Sequence, residues 1–351
     1  MLMFTLTLCC LGLGLSTAVV PPPNLPSEWL VDYLNADLLF SPTDSSVNPS
    51  TLPEIGNGFL ATQLMTESIW VSGLFNGYLT ETPSHRARIP ATNAISSPGT
   101  ESSAALHIRN ATYLRRSFIN PSGGTCSLTS TNSCSNAASQ IIIEQRWYAH
   151  RALPSLMVME LQILPTSSST NPPDATLFAM LKLTNHPGSI STDINFTTIN
   201  PAANSPYSIV NGSTLVAETN SSSLQAVSVI TTNLPTSGLL PIDISNPFAT
   251  QYFFTVIRTT IETAPEDLIE AALSDYDAAE GLAISGTLHS THVAEWASTI
   301  WTVGYSTDRF DVAQVVNSSI YAILSSVRSD RPYGLSPGGL TAGYNGHSVS
   351  L

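Results

Sequence analysis

The apolar pattern of this chain changes period once, at Thr263, and that switch constrains the fold more than any other feature. From about Leu52 to Ile261, runs rich in Val, Ile, Phe and Thr alternate with breaks of Pro, Asn, Gly and Ser. Short β-rich runs at this spacing specify a large β-sandwich. The clearest strands span 69–75, 141–149, 156–163, 177–184, 194–199, 224–231 and 252–261. In the fourth, Leu177, Ala179, Leu181 and Leu183 share one face and Lys182 takes the other. Segments such as 165–174 and 200–212 read as long loops, of a kind that builds a binding rim.

Beyond the switch the pattern is helical. Thr263, Pro265 and Glu266 read as a capping box with an early proline, opening a helix over 265–280. The acids Glu266, Asp267 and Glu270 complement its macrodipole, which explains them without catalysis. A second helix places Val293, Trp296, Ala297, Ile300 and Trp301 on one stripe, where the tryptophans read as core rather than sugar platforms. A third, 309–327, places Phe310, Ala313, Val316, Ile320, Leu324 and Val327 on another. Helices with a single apolar stripe need partners, so these three look like the start of a helical domain. Lacking those partners, residues after about Asp308 are expected to exchange amide hydrogens quickly.

The 351 residues leave room for two domains, and 42% hydrophobic residues suffice for a core. Charged residues are only 11%, with Ser, Thr, Asn and Pro in their place, and the net charge of −13 argues against nucleic acid or an anionic membrane as partner. Leu2 to Leu15 is an apolar run followed by Ser16, Thr17 and Ala18, a small-x-small cleavage pattern, so residues 1–18 read as a signal peptide. The run is shorter than the ~20 residues a membrane span needs. A soluble, secreted protein is expected, with the lysosome or another secretory lumen as the alternative. Asn110, Asn195, Asn211, Asn220 and Asn317 open Asn-x-Ser/Thr sequons and are candidate glycan acceptors. After leader removal Cys126 and Cys134 remain; they read as one local disulfide, with two free thiols as the other possibility. Their loop offers too few ligands for zinc, and no metal or cofactor is expected.

Gly334, Ser336 and Gly338 fit G-x-S-x-G, but Pro337 lacks the N–H that an oxyanion hole needs there. His289, His292 and Glu295 fall at helical spacing, yet no further ligand is near in sequence, so a structural or exposed role is favoured. His85 and His150 sit beside Arg86 and Arg151, and neither pair resembles a catalytic arrangement. Paired carboxylates for glycoside hydrolysis come from distant segments, so spacing cannot reveal them.

Several blocks carry a resemblance. They are Leu52 through Ala61 (LPEIGNGFLA), Ile69 through Gly77 (IWVSGLFNG), His85 through Ala87, Trp147 through Pro154 (WYAHRALP), Trp296 with Trp301, Gly334 through Leu340, and Gly346 through Ser348. In this order they resemble glycoside hydrolase family 65, in the branch of acid-trehalase-like proteins and glucosidases of glucosylgalactosyl-hydroxylysine. The resemblance implies a mainly β fold: an N-terminal β-sandwich over 25–262, a helical linker over 263–305, and the start of an (α/α)6 catalytic barrel over 306–351. It implies an inverting hydrolase of a terminal α-glucosidic bond, acting on a carbohydrate or glycosylated protein without a cofactor. Where the family continues with Phe-Trp-Asp, Ser348 is followed by Val349, Ser350 and Leu351. The family's catalytic glutamate has no counterpart, so no catalytic residue carries over, and His347 alone touches the substrate-side motif. The expectation is a truncated form, inactive by itself. The alternative is a non-catalytic secreted module that binds carbohydrate or regulates.

Overall fold

The computed structural model describes residues 19–22, 25–41, 54–63, 68–78, 82–90, 93–96, 102–119, 141–164, 178–185, 191–199, 204–218, 223–235, 239–243, 250–300, 302–303 and 309–328. The signal segment 1–18, Cys126, Cys134, Asn220, Trp301, the G-x-S-x-G segment and His347 lie outside the described residues.

Sixteen strands are described. In chain order they begin with β1 (Leu38–Ser41), β2 (Glu54–Gly56), β3 (Leu60–Gln63), β4 (Ile69–Tyr78), β5 (Thr82–Ile89), β6 (Asn93–Ser96), β7 (Ser102–His107) and β8 (Thr112–Ile119). Then follow β9 (Ile141–Ala149), β10 (Leu156–Leu164), β11 (Phe178–Asn185), β12 (Ile194–Ile199), β13 (Tyr207–Thr214), β14 (Ala226–Thr232), β15 (Leu239–Asp243) and β16 (Thr250–Thr259). The helices are α1 (Leu30–Leu34), α2 (Leu268–Ile284), α3 (Leu288–Ala297) and α4 (Phe310–Ser326).

The strands form a nine-stranded sheet in the order β1-β7-β8-β9-β10-β16-β14-β13-β12, a four-stranded sheet β2-β3-β4-β5 and a three-stranded sheet β15-β11-β6. The mainly β architecture followed by helices is the one its periodicity specifies. Strand β9 shows why. Ile143, Trp147 and Ala149 enter the main core, shared with Ile55, Leu60, Ile69 and Val71 of the four-stranded sheet. Tyr148 points to the opposite face and joins a second core. There Val158, Ile230, Phe254 and Val256 meet Ala272, Tyr276 and Ala279 of α2 and Leu288 of α3. One sheet thus feeds two cores, one between sheets and one beneath helices.

Four local expectations are corrected. Part of the expected loop 200–212 is the interior strand β13, paired with β12 and β14. Its Asn211-Gly212 resembles a break, but a Cβ on Gly212 would stand 2.6 Å from Ile194 Cγ2 and 2.7 Å from Phe196 Cδ1. The glycine marks a close approach within a strand, not a turn. The capping box at Thr263 does not form: a 3-10 turn, Pro265–Asp267, precedes α2, and no side chain caps either element. Thr263 still belongs to the turn leaving β16, its N–H bonded to the Thr259 carbonyl. Helix α3 starts earlier than its stripe suggests and buries Leu288, His292 and Trp296, while Ala297 is exposed. Helix α4, expected to lack partners, is docked on the β-domain through Ala313, Asn317, Tyr321, Ser325 and Ser326. Much of its apolar side, Val312, Val315 and Ile323, faces outward.

Candidate functional site

Three of the blocks that carry the resemblance, those at Leu52–Ala61 (described from Glu54), Trp147–Pro154 and Trp296, meet where the β2–β3 turn, the end of β9, α3 and α4 converge. The turn is built on Asn57. Its Oδ1 accepts the N–H groups of Phe59 at 2.8 Å and Leu60 at 2.7 Å, and its Nδ2 donates to the carbonyls of His150 and Pro154, both at 2.9 Å. The side chain therefore ties the turn to the segment after β9, and each of its polar atoms is used twice.

Two glycines flank it for a steric reason. Gly58 has φ +85°, and a Cβ there would stand 2.3 Å from the Val327 carbonyl oxygen; one on Gly56 would stand 2.6 Å from that of Ser325. No side chain fits, because the C-terminal end of α4 rests on the turn. Gly58 N–H donates to the Ser325 carbonyl at 2.8 Å, satisfying one of the helix's terminal carbonyls. Tyr321 Oη donates to the Glu54 carbonyl at 2.9 Å. Arg151 Nη1 donates to the Asn57 carbonyl at 2.6 Å, and its guanidinium lies 5.1 Å from the centre of the Trp296 ring. Trp296 is fully buried and its Nε1–H donates to the Ile108 carbonyl at 3.1 Å, so it is core and not a sugar platform.

Beside this joint lies a histidine cluster that sequence spacing missed. His289 and His292 of α3 find their third member in His150, at the end of β9, with ring centres of His150 and His292 5.7 Å apart. Tyr148 stacks on His292 at 4.6 Å. His150 donates from Nε2 to the Leu288 carbonyl at 3.1 Å and accepts the Leu153 N–H at Nδ1, 3.0 Å. His292 donates from Nε2 to the Asn110 carbonyl at 2.8 Å and accepts the Arg151 N–H at Nδ1, 3.1 Å. Thr112 gives its hydroxyl hydrogen to the Asn110 carbonyl, so it accepts from His289 Nε2 at 3.1 Å. All three rings are neutral. Burial lowers His150 and His289 to about 4 and His292 well below the ordinary imidazole value. Among the described residues no His, Cys, Asp and Glu group could hold a metal ion.

Two buried carboxylates, Glu144 and Glu160, are equally committed. Glu144 accepts from Arg116 Nε at 2.6 Å and Arg146 Nε at 2.7 Å. Glu160 accepts from Tyr148 Oη at 2.5 Å and faces Arg146 Nη1 at 3.6 Å. Burial raises Glu160, opposed by the Tyr148 bond and the Arg146 charge, and burial first and Glu160 second push Tyr148 up. These groups form a ladder across β8, β9 and β10 that leaves neither carboxylate open to a substrate.

Of the sequence-predicted residues, Asn195 is exposed on β12, while Asn110 and Asn211 are half-buried. Asn317, expected to be a glycan acceptor, is corrected: it is fully buried, its Nδ2 donates to the Ala36 carbonyl at 3.0 Å and its Oδ1 accepts the Val303 N–H at 2.9 Å. A glycan on that nitrogen is incompatible with the docked helix. His85 lies on β5, away in sequence from the joint. Among the described residues no helix is long and apolar enough to cross a membrane.

No known family profile matches the chain. It is 31% identical over 334 residues to the protein-glucosylgalactosylhydroxylysine glucosidase of Dictyostelium discoideum, covering 92% of this chain and 43% of that protein. To the protein of the same name from Gallus gallus it is 26% identical over 330 residues, covering 91% of this chain and 42% of the relative. A solved structure, a putative kojibiose phosphorylase from the human microbiome, shares the fold with a TM-score of 0.54 at 11% identity, over 83% of this chain and 41% of that one. The chain thus spans less than half the length of the proteins it matches. Its ordered motifs and these two named relatives make it a glycoside hydrolase family 65-like chain, homologous to glucosidases.

Proposed function

We propose that this chain supplies the β-domain, helical linker and first barrel helix of a secretory-pathway glucosidase. That enzyme would remove terminal α-linked glucose, with inversion, from glucosylgalactosyl-hydroxylysine or a trehalose-type sugar, and the present residues would be inactive alone. The observation that carries the reading is the match over 92% of this chain to 43% of a named glucosidase. It is supported by what the shared motifs do. Asn57, Gly58, His150, Arg151 and Trp296 are all occupied in holding helices to sheet, and the ladder carboxylates are held by arginines and Tyr148.

The test is glucose release by the purified 351-residue chain from trehalose, kojibiose and glucosylgalactosyl-hydroxylysine. None is expected, since a missing general acid alone removes ~10²–10⁴-fold in rate. Turnover that survives repurification would sink the inactivity. A second reading, a non-catalytic carbohydrate-binding or regulatory module, gains from the docking of α4 on the β-domain. Saturable binding of one of these sugars without turnover would favour it.

A further inference from the structure

We infer that Asn195 carries an N-linked glycan and that this glycan covers the β12 edge of the nine-stranded sheet. The inference rests on the proposed entry of the chain into the secretory pathway.

Strand β12 is the outermost strand of that sheet and pairs only with β13 among the described residues. An edge strand presents unpaired N–H and C=O groups to any other strand that approaches, and proteins protect such edges with charge, proline, bulges or covering elements. Strand β12 has none of the sequence devices. It reads Ile-Asn-Phe-Thr-Thr-Ile, six residues without charge or proline and rich in β-formers. Such a segment is the kind that recruits further strands. Its register with β13 is unbroken from Ile194 opposite Thr214 to Ile199 opposite Ile209, so no bulge turns it away. At its start it is fixed in place: Arg88 Nε donates to Asp193 Oδ2 at 2.8 Å.

The sequon Asn195-Phe196-Thr197 lies on this stretch, which among the described residues pairs only with β13. Asn195 and Thr197 are both exposed and, two residues apart, share one face of the strand. A branched, hydrated glycan there would sterically block a second strand from pairing along β12. Two of the other described sequons contrast with it. Asn317 is enclosed and doubly bonded, and Asn211 lies on an interior strand with its Oδ1 sealed from solvent.

The experiment expresses the full chain in a eukaryotic secretory host and maps occupancy by glycosidase release in heavy-oxygen water. Asn195 should be occupied and Asn317 empty. Removing the acceptor in two ways, N195Q and T197A, should each abolish one glycan and raise the oligomeric fraction in size-exclusion chromatography several-fold. An empty Asn195 in protein whose leader has been removed would overturn the inference while leaving the secretory reading intact. So would both variants staying as monomeric as the parent. An uncleaved leader with every sequon empty would overturn the secretory reading and this inference together.

Discussion

Helices α2 and α4 are both 17 residues long and both lie on the β-domain, yet the balance of apolar and polar contacts differs: α2 adds the Arg258–Asp275 pair to a mostly apolar face, and α4 adds Leu324 to a mostly hydrogen-bonded one. Helix α2 buries Leu268, Ala272, Tyr276 and Ala279, most of them against the aliphatic and aromatic face made by Ile230, Phe254 and Val256. Helix α4 buries Asn317, Tyr321, Ser325 and Ser326 and is held by hydrogen bonds to Ala36, Glu54 and Gly58. Apolar burial is non-directional and weakens in proportion to the area lost. A hydrogen-bonded joint depends on angle and distance, and leaving one buried partner unpaired costs more than the bond was worth. The first attachment should yield gradually and the second as a unit.

Acidification should break that contrast most. His150 and His289 have folded values of about 4, below the ordinary 6.5, because burial disfavours the charged ring. A depressed folded value means that the unfolded chain binds protons first as pH falls. Stability is therefore complete above about pH 6.5 and is lost as pH drops from there towards about 4, at ~1.4 kcal/mol per unit for each imidazole. His150 and His289 together should forfeit about 7 kcal/mol at most, with His292 adding to it. The α3–α4 side, which packs on these rings and on Arg151, should lose amide protection first. The attachment of α2 rests on apolar side chains and the Arg258–Asp275 pair, with no histidine of the cluster on that helix, and should follow later. Simultaneous loss of both helices across that window, in exchange mass spectrometry, would remove the distinction.

Asn57→Ala is next in size. It leaves the N–H groups of Phe59 and Leu60 and the carbonyls of His150 and Pro154 without their partner in a buried turn. We expect a loss of about 3–5 kcal/mol in urea unfolding, with α4 exchanging freely. Gly58→Ala should cost about 2–4 kcal/mol, from the left-handed backbone and the collision with Val327. Its signature is selective: faster exchange over 310–326 with protection across 268–284 unchanged. A cost below about 1 kcal/mol would mean that α4 does not rest on the turn.

The same contrast explains what was legible in the sequence. Strands β9 and β12 lie where the β-rich runs placed them, and α2 to α4 are all present, because alternation and helical period report directly on burial. The docking face of α4 was legible only in part, through Ala313, which is buried, and Leu324, which packs on the main core. The stripe also selects Val316 and Ile320, whereas the helix turns Asn317, Tyr321 and Ser325 fully inward, since a glycine turn offers bonding groups rather than apolar surface. The third member of the histidine cluster was hidden too. His150 lies far from His289 and His292 in the chain, and only sheet topology brings it beneath α3. The single Gly56-Asn57-Gly58 run and the distant Trp147–Arg151 segment were the available signs of the joint, but their meaning depends on which helix end lands there.

The smallest effect belongs to the apolar attachment, and it sharpens the comparison by its size. Ile230 is fully buried in the core beneath α2, where it meets side chains that all lack polar atoms or, like Tyr276, have their hydroxyl bonded elsewhere, here to Thr232. Ile230→Val removes one methylene and leaves no donor or acceptor stranded, so the loss should be about 0.5–1.5 kcal/mol. The neighbours can relax into part of the space, and exchange across 268–284 should quicken slightly without the helix detaching. Because Ile230 shares no bond with Gly58, the double variant Ile230→Val/Gly58→Ala should unfold with additive losses, within about 0.5 kcal/mol. An interaction energy clearly beyond that would mean that α2 and α4 are gripped by one continuous core, and that the polar joint and the apolar face are not separate attachments.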